Sequence, residues 1–235
     1  FDQPPQGAPV PFDCATVLYR DGDNVPGNWL VDILPRAWLI RTFCPGLDVT
    51  YLIRKGTPGF ARAMLEALGL APERIVEIDP ETSHPLCRQL LVASGMRYNQ
   101  VVSPGIKSFS ESLVRRFWDI VAKPEHARFF LSRPGRKPVV ANRRQLINAE
   151  AIAATYGDAG YRVIAPGGRA FPAQVSLFHR ADALAGSAGP GLYNSVFAPS
   201  GIEVDALIGP NNRSLVQASL CLACDQKINL VFGEN

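Results

Sequence analysis

Short apolar runs alternate along the chain with longer stretches in which apolar residues recur every three or four positions. The runs at 15–19, 48–54, 74–78, 90–93 and 98–102 are brief enough to be strands. Between the first two, Trp29, Leu30, Ile33, Leu34, Ala37 and Trp38 make a helical stripe over 29–40, which Pro35 either kinks or divides in two. Further helices are expected over 59–70 and 109–121, the latter presenting Leu113, Phe117, Ile120 and Val121 on one face. The alternation pauses at Lys123-Pro-Glu-His126 and then resumes. Strands are expected at 128–131, 161–165, 181–185, 202–207 and 228–232. Helices are expected from Asn148 to Tyr156, from Pro172 onward, and over 214–224. Asn148 is a residue type that caps helices, and Glu150 suits a first turn. This pattern predicts an α/β protein with parallel sheets in two domains, 1–122 and 123–235. Residues 1–13, with four prolines, read as an extended lead-in rather than a packed element.

One stretch departs from simple alternation. After the apolar run 181–185, Gly186-Ser-Ala-Gly-Pro-Gly-Leu-Tyr-Asn194 packs three glycines ahead of Leu192, Val196 and Phe197, which fall at helical spacing. A strand, a glycine turn and a helix N-terminus together make an anion site, because unpaired N–H groups and the helix dipole face outward. The same glycines would also serve tight strand–helix packing. Their spacing is not the G-x-G-x-x-G of dinucleotide-binding folds. A second unusual stretch follows the 128–131 strand, where Arg133, Arg136, Lys137, Arg143 and Arg144 come with no acid between them. Guanidinium groups suit bidentate phosphate binding, and loops at strand carboxyl ends are where open α/β sheets hold ligands. The two stretches together point to a phosphate-bearing ligand.

Composition narrows this picture only modestly. The 235 residues are 47% hydrophobic and 19% charged, as in an ordinary globular protein, and the net charge of +3 gives no reason to expect nucleic acid as a partner. Five cysteines, an odd number without dense spacing, fit a reducing compartment better than a disulfide framework. No apolar run approaches the roughly 20 residues of a membrane span.

Other charged positions carry alternatives. Asp21 and Asp23 could flank a divalent metal, but in Asp21-Gly-Asp-Asn24 they read as turn chemistry. Asp32 and Arg36 lie four apart on the 29–40 stripe. Spacing alone makes them a solvated ion pair worth about 0.3–0.5 kcal/mol, whereas a functional reading makes Asp32 a general base with Arg36 meeting a charged ligand. His84-x-x-Cys87 and Cys221-x-x-Cys224 have zinc-like spacing, but the second pair falls in an expected helix and buried thiols are the better reading. His126 and His179 have no partner pattern, and a G-x-S-x-G nucleophile elbow is absent.

Asn24-Val-Pro-Gly-Asn-Trp-Leu-Val-Asp-Ile-Leu-Pro-Arg-Ala-Trp38 resembles the His-Trp-Leu-x-Asp-x-Leu-Pro-Arg motif of glycosyltransferase family 61. The second half is similar to that family in Phe130-Leu-Ser-Arg133, Arg144-x-x-x-Asn148-x-Glu150, Gly160-Tyr-Arg-Val163, Gln174-x-x-Leu-Phe178 and Gly186 to Asn194. The resemblance runs from about residue 15 to the C-terminus, to the bacterial-type members associated with capsular polysaccharide.

The resemblance implies a GT-B-like fold, two Rossmann-like α/β/α domains facing a cleft, with residues 1–122 on the acceptor side and 123–235 holding the donor. It implies inverting, metal-independent transfer of a hexosyl or pentosyl group from a nucleotide-sugar donor to a glycan or polysaccharide acceptor, with no cofactor. Carried over by position, the catalytic residues are Asp32 as general base, with Asn28 and Arg36. The donor-binding residues are Arg133 and Arg144 on the diphosphate, with Asn148, Gln174, Ser187, Gly189, Gly191, Leu192 and Asn194. The expected setting is cytoplasmic, with peripheral contact at the inner membrane face. The chain is short for such a transferase, and its first domain is expected to be trimmed. Two positions depart from the family pattern: Asn28 and Ala188 stand where it has histidines. Asn28 can still hydrogen-bond a sugar, whereas the Ala188 side chain can neither donate to a phosphate nor act as a base. An alternative therefore stays open, a glycan- or nucleotide-binding module of the same fold with impaired catalysis.

Overall fold

A computed structural model describes residues 9–122, 127–132, 148–209 and 215–233. Two compact units divide between Met96 and Arg97. The first holds β1 (Pro9–Val17), α1 (Pro26–Asn28), a π turn at Trp29–Ile33, α2 (Leu34–Phe43), β2 (Thr50–Arg54), α3 (Gly59–Leu68), β3 (Ile75–Ile78) and β4 (His84–Leu91). Its four strands are parallel in the order β3-β2-β1-β4. The α3 helix forms because Ala61, Met64, Leu65 and Leu68 recur on one buried face, as an amphipathic helix requires.

Strand β1 starts at Pro9, so the second half of the expected lead-in is paired, with Pro9 to Phe12 against His84 to Cys87. The prolines are tolerated because β1 meets β2 only at Ala15 to Val17, and their missing N–H groups cost no bond on the unpaired side. Phe12 and Cys87 from this ribbon pack with Ala15, Leu52 and Ile78. Pro35 falls in the first turn of α2, where it starts a helix instead of breaking one.

The second unit opens with a small hairpin, β5 (Arg97–Tyr98) and β6 (Val101–Val102), and α4 (Gly105–Phe117). There follow β7 (Arg128–Leu131), α5 (Ala149–Asp158), β8 (Arg162–Ile164), α6 (Phe171–His179), β9 (Ala183–Ser187), a 3-10 turn at Leu192–Phe197, β10 (Glu203–Ile208), α7 (Val216–Ala223) and β11 (Lys227–Phe232). The sequence places α4 ahead of a boundary at 122/123. By contacts α4 joins the second unit, because the helix whose buried face carries Ile106, Phe109, Leu113 and Phe117 packs against α6, α7 and the 3-10 turn.

All five strands of the second sheet are parallel, in the order β11-β10-β9-β7-β8. Numbered within the sheet this is 2-1-3-4-5 read from the β8 edge, so the winding direction changes between β7 and β9. Helix α5 is seated by Tyr156, which stacks on Phe130 with ring centroids 4.9 Å apart. Its hydroxyl donates to Asp205 at 3.1 Å. Burial and the Asp205 carboxylate together push the Tyr156 phenol well above its ordinary value.

Cys221 and Cys224 are buried thiols of α7 and its cap, in a different unit from His84 and Cys87. Burial raises both, Cys224 to about 12. A thiol raised in the folded state contributes stability that is fully present below its unfolded value near 9 and is lost as pH climbs toward 12. Urea midpoints measured from pH 8 to 11 are therefore expected to fall with rising pH, and Cys224→Ala is expected to flatten that slope.

Candidate functional site

In the first unit, the polar groups gather where β1 and β2 end. The chain leaves β1 through Leu18, Tyr19 and Arg20 into a turn at 21–24, then enters α1 and the π turn. Leu34 N–H reaches back five residues to the Trp29 carbonyl. Such one-turn widenings recur at functional sites, because they re-aim side chains without ending the helix. Asp32 lies in this widened turn, only 1% exposed. It forms an ion pair with Arg20, whose Nη1 is 3.0 Å from Oδ2. Spacing favours a solvated pair with Arg36. The widened turn alters the four-residue register, and the Arg36 Nε is instead buried without a hydrogen-bond partner.

The turn at 21–24 is fastened on three sides. Trp29 Nε1 donates to the Asp23 carbonyl at 2.6 Å, Asn28 Nδ2 to the Gly22 carbonyl at 2.9 Å, and Arg54 Nε to Asp23 Oδ2 at 2.9 Å. The hydrogen bond with Asp23 holds the Arg54 guanidinium above its ordinary value, and Arg54 also lies 5.4 Å over the Tyr19 ring. Asp23 thus anchors a turn, as its sequence context indicates. Asn28 commits its side-chain nitrogen to the same turn.

Gly22 adopts φ +80°, and a Cβ there would stand 2.6 Å from Asn28 Nδ2. Gly22→Ala is expected to cost about 1–3 kcal/mol from the left-handed backbone alone. The check is a chemical denaturation curve. An unchanged midpoint would show that the turn relaxes freely.

In the second unit the topology brings several of the sequence-predicted residues to one edge of the sheet. A helix that follows a strand in a parallel sheet begins at that strand's carboxyl end, so Asn148 before α5 and Gln174 in α6 both start from the edge where the glycine turn leaves β9. The glycine turn leaves β9 beside the β7/β9 switch, the kind of place where open α/β sheets hold ligands. Gly186 is required by the neighbouring strand, since a Cβ there would come within 3.1 Å of the Leu131 Cβ and 3.3 Å of its carbonyl oxygen. Gly189 adopts φ +135°. Asn194 Nδ2 donates to the Gly191 carbonyl at 3.1 Å, and Gln174 Nε2 to the Arg169 carbonyl at 2.8 Å. Leu192 is buried, and Ser187 lies at the end of β9.

Two features differ from expectation. The element after the turn is a six-residue 3-10 helix, cut short because Ala198 is held extended ahead of Pro199. It offers a weaker dipole than the α-helix read from the sequence. The Ala188 side chain is 2% exposed, and its N–H is taken by the Leu207 carbonyl at 2.9 Å. Arg133 and Arg144, with the rest of the basic stretch, lie outside the described residues. Asn148 makes no side-chain cap bond. Arg20, the Asp23–Arg54 pair and the π turn escaped the sequence reading; the one local signal was Arg20 standing at a strand end before Asp-Gly-Asp. Among the described residues no group of three or more His, Cys, Asp or Glu side chains could hold a metal ion.

Two parallel sheets with helices in their connections define a protein of the α/β class. The chain belongs to glycosyltransferase family 61: that family's model, described as Glycosyltransferase 61, matches residues 27–204, from just before Asn28 through Asp32 and the glycine turn into β10. By family it is a transferase that works between a glycosyl donor and an acceptor. No curated protein matches the chain. Among the described residues no helix is long and apolar enough to cross a membrane.

Proposed function

We propose that the chain is an inverting, metal-independent glycosyltransferase that moves a hexosyl or pentosyl group from a nucleotide-sugar donor to a glycan or polysaccharide acceptor. Asp32 carries this reading: a carboxylate 1% exposed, set in a widened helical turn within the residues the family model matches. In the proposed reaction Asp32 takes the proton from an acceptor hydroxyl, whose oxygen attacks the anomeric carbon. The bond to the diphosphate breaks on the opposite face, so one displacement inverts the centre. Asn28 and Arg36 complete the acceptor side. Arg133 and Arg144 receive the charge on the departing diphosphate, and Asn148, Gln174, Ser187, Gly189, Gly191, Leu192 and Asn194 surround the nucleotide. The GT-B arrangement, a role in polysaccharide biosynthesis, and a cytoplasmic setting with peripheral membrane contact belong to the same proposal.

A specific observation supports the second reading, a binding module with impaired catalysis. At the two positions where the family has histidine, Asn28 is tied to Gly22 and Ala188 is buried. The transferase and a nucleotide-binding module both expect a nucleoside diphosphate to stabilise the protein, by about 2.7 kcal/mol at a hundredfold excess over Kd, whereas a glycan-binding module does not. A thermal-shift panel of uridine, guanosine, cytidine and thymidine diphosphates measures this, and no shift with any of them would overturn the donor site. Product formation across the matching nucleotide sugars then separates transferase from binding module.

A further inference from the structure

We infer that Arg20 is the positioning residue for Asp32, fixing the carboxylate in the orientation from which it meets the acceptor. This rests on the reading of Asp32 as the base. Three observations carry it. The Asp32 side chain is 2% exposed, so bulk water cannot do the holding, and Arg20 Nη1 stands 3.0 Å from its Oδ2. Arg36, the cation that spacing supplies, has its Nε buried without a hydrogen-bond partner. Arg20 is itself held by the segment that carries Asp32. Its carbonyl accepts from Asp23 N–H at 3.2 Å, and the same turn is tied to Asn28 and Trp29, the residues that lead into the π turn.

Turn and helix are thereby tied together, so the backbone from which the Arg20 side chain reaches the carboxylate is held relative to it. Arg20 still loses side-chain rotamer freedom in making the contact; the held backbone spares only the main-chain part of the ordering cost. The side chain of Arg20 is also 38% exposed, so one edge of the ion pair faces outward while the carboxylate stays covered.

The test compares wild type with Asp32→Asn, Arg20→Gln, Arg20→Lys and the Arg20→Gln/Asp32→Asn double variant. Each is assayed with the nucleotide sugar that wild type turns over, alongside its melting temperature. Arg20→Gln is expected to lower kcat by about 100-fold, the cost of a catalytic group displaced by an ångström, with the donor KM within about twofold. Arg20→Lys keeps the charge but not the planar fork, and is expected to recover part of the loss. In the Asp32→Asn background the Arg20 change is expected to add nothing. Wild-type kcat in Arg20→Gln, or losses that multiply in the double variant, would overturn the positioning role. A lowered melting temperature with kcat unchanged would do the same. Should Arg20→Gln fail to fold, Arg20→Lys decides: a kcat loss at unchanged melting temperature supports the role, and none removes it. Wild-type kcat in Asp32→Asn removes the base reading itself, whatever Arg20 does.

Discussion

Asp32→Asn is expected to lower kcat by about 10²–10⁴-fold, the range that a positioned general base contributes, while nucleoside diphosphate binding persists. The substitution removes the proposed proton acceptor and keeps the shape. Asp32 sits in the first unit, whereas the glycine turn and the starts of α5 and α6 sit at the carboxyl edge of the second sheet. The diphosphate thermal shift should therefore match wild type. A lost shift would place Asp32 in donor binding instead of proton transfer, and full turnover would remove it from the mechanism. Asn can still accept from Arg20, and the cation left behind is 38% exposed and solvated, so the variant should lose little stability. The melting temperature reads that separately from kcat.

The largest structural effect is expected at Trp29. Its side chain is fully buried, its ring meets Phe60 edge-on at 6.4 Å, and its Nε1 closes the turn at 21–24 through the Asp23 carbonyl. Trp29→Ala leaves a cavity and an unpaired carbonyl, and is expected to cost about 3–5 kcal/mol, a fall of roughly 6–20 °C in Tm for a chain of this size. Trp29→Phe retains an apolar ring but not the donor, and should cost about 1–3 kcal/mol for the carbonyl left unpaired. Melting followed by circular dichroism checks both. Equal losses in the two variants would show that the hydrogen bond, and not the packing, holds the turn.

Both predictions depend on a helix whose position is clear from the sequence and whose internal geometry is not. The stripe from Trp29 to Trp38 announces a helix because apolar residues must share one face. The strand at 128–131 is equally plain, being a short apolar run with no helical spacing. The far end of the glycine stretch shows the limit: Leu192, Val196 and Phe197 fit a helix by spacing, but Pro199 shortens it to a 3-10 turn.

The sequence by itself determined most of the succession of strands and helices and the glycine turn after an apolar strand, since each depends on residues close together in the chain. The strand expected at 90–93, however, lies at His84–Leu91, and the one expected at 98–102 is the β5–β6 hairpin. Only the tertiary structure decided the order of the strands, and with it the β7/β9 switch beside the glycine turn. It also decided that α4 belongs with the second sheet, and that Asp32 meets Arg20, a residue the helical spacing does not supply. Strand order depends on which distant segments pair, and a π turn changes which side chains face each other without changing their spacing in the sequence. Local periodicity records neither.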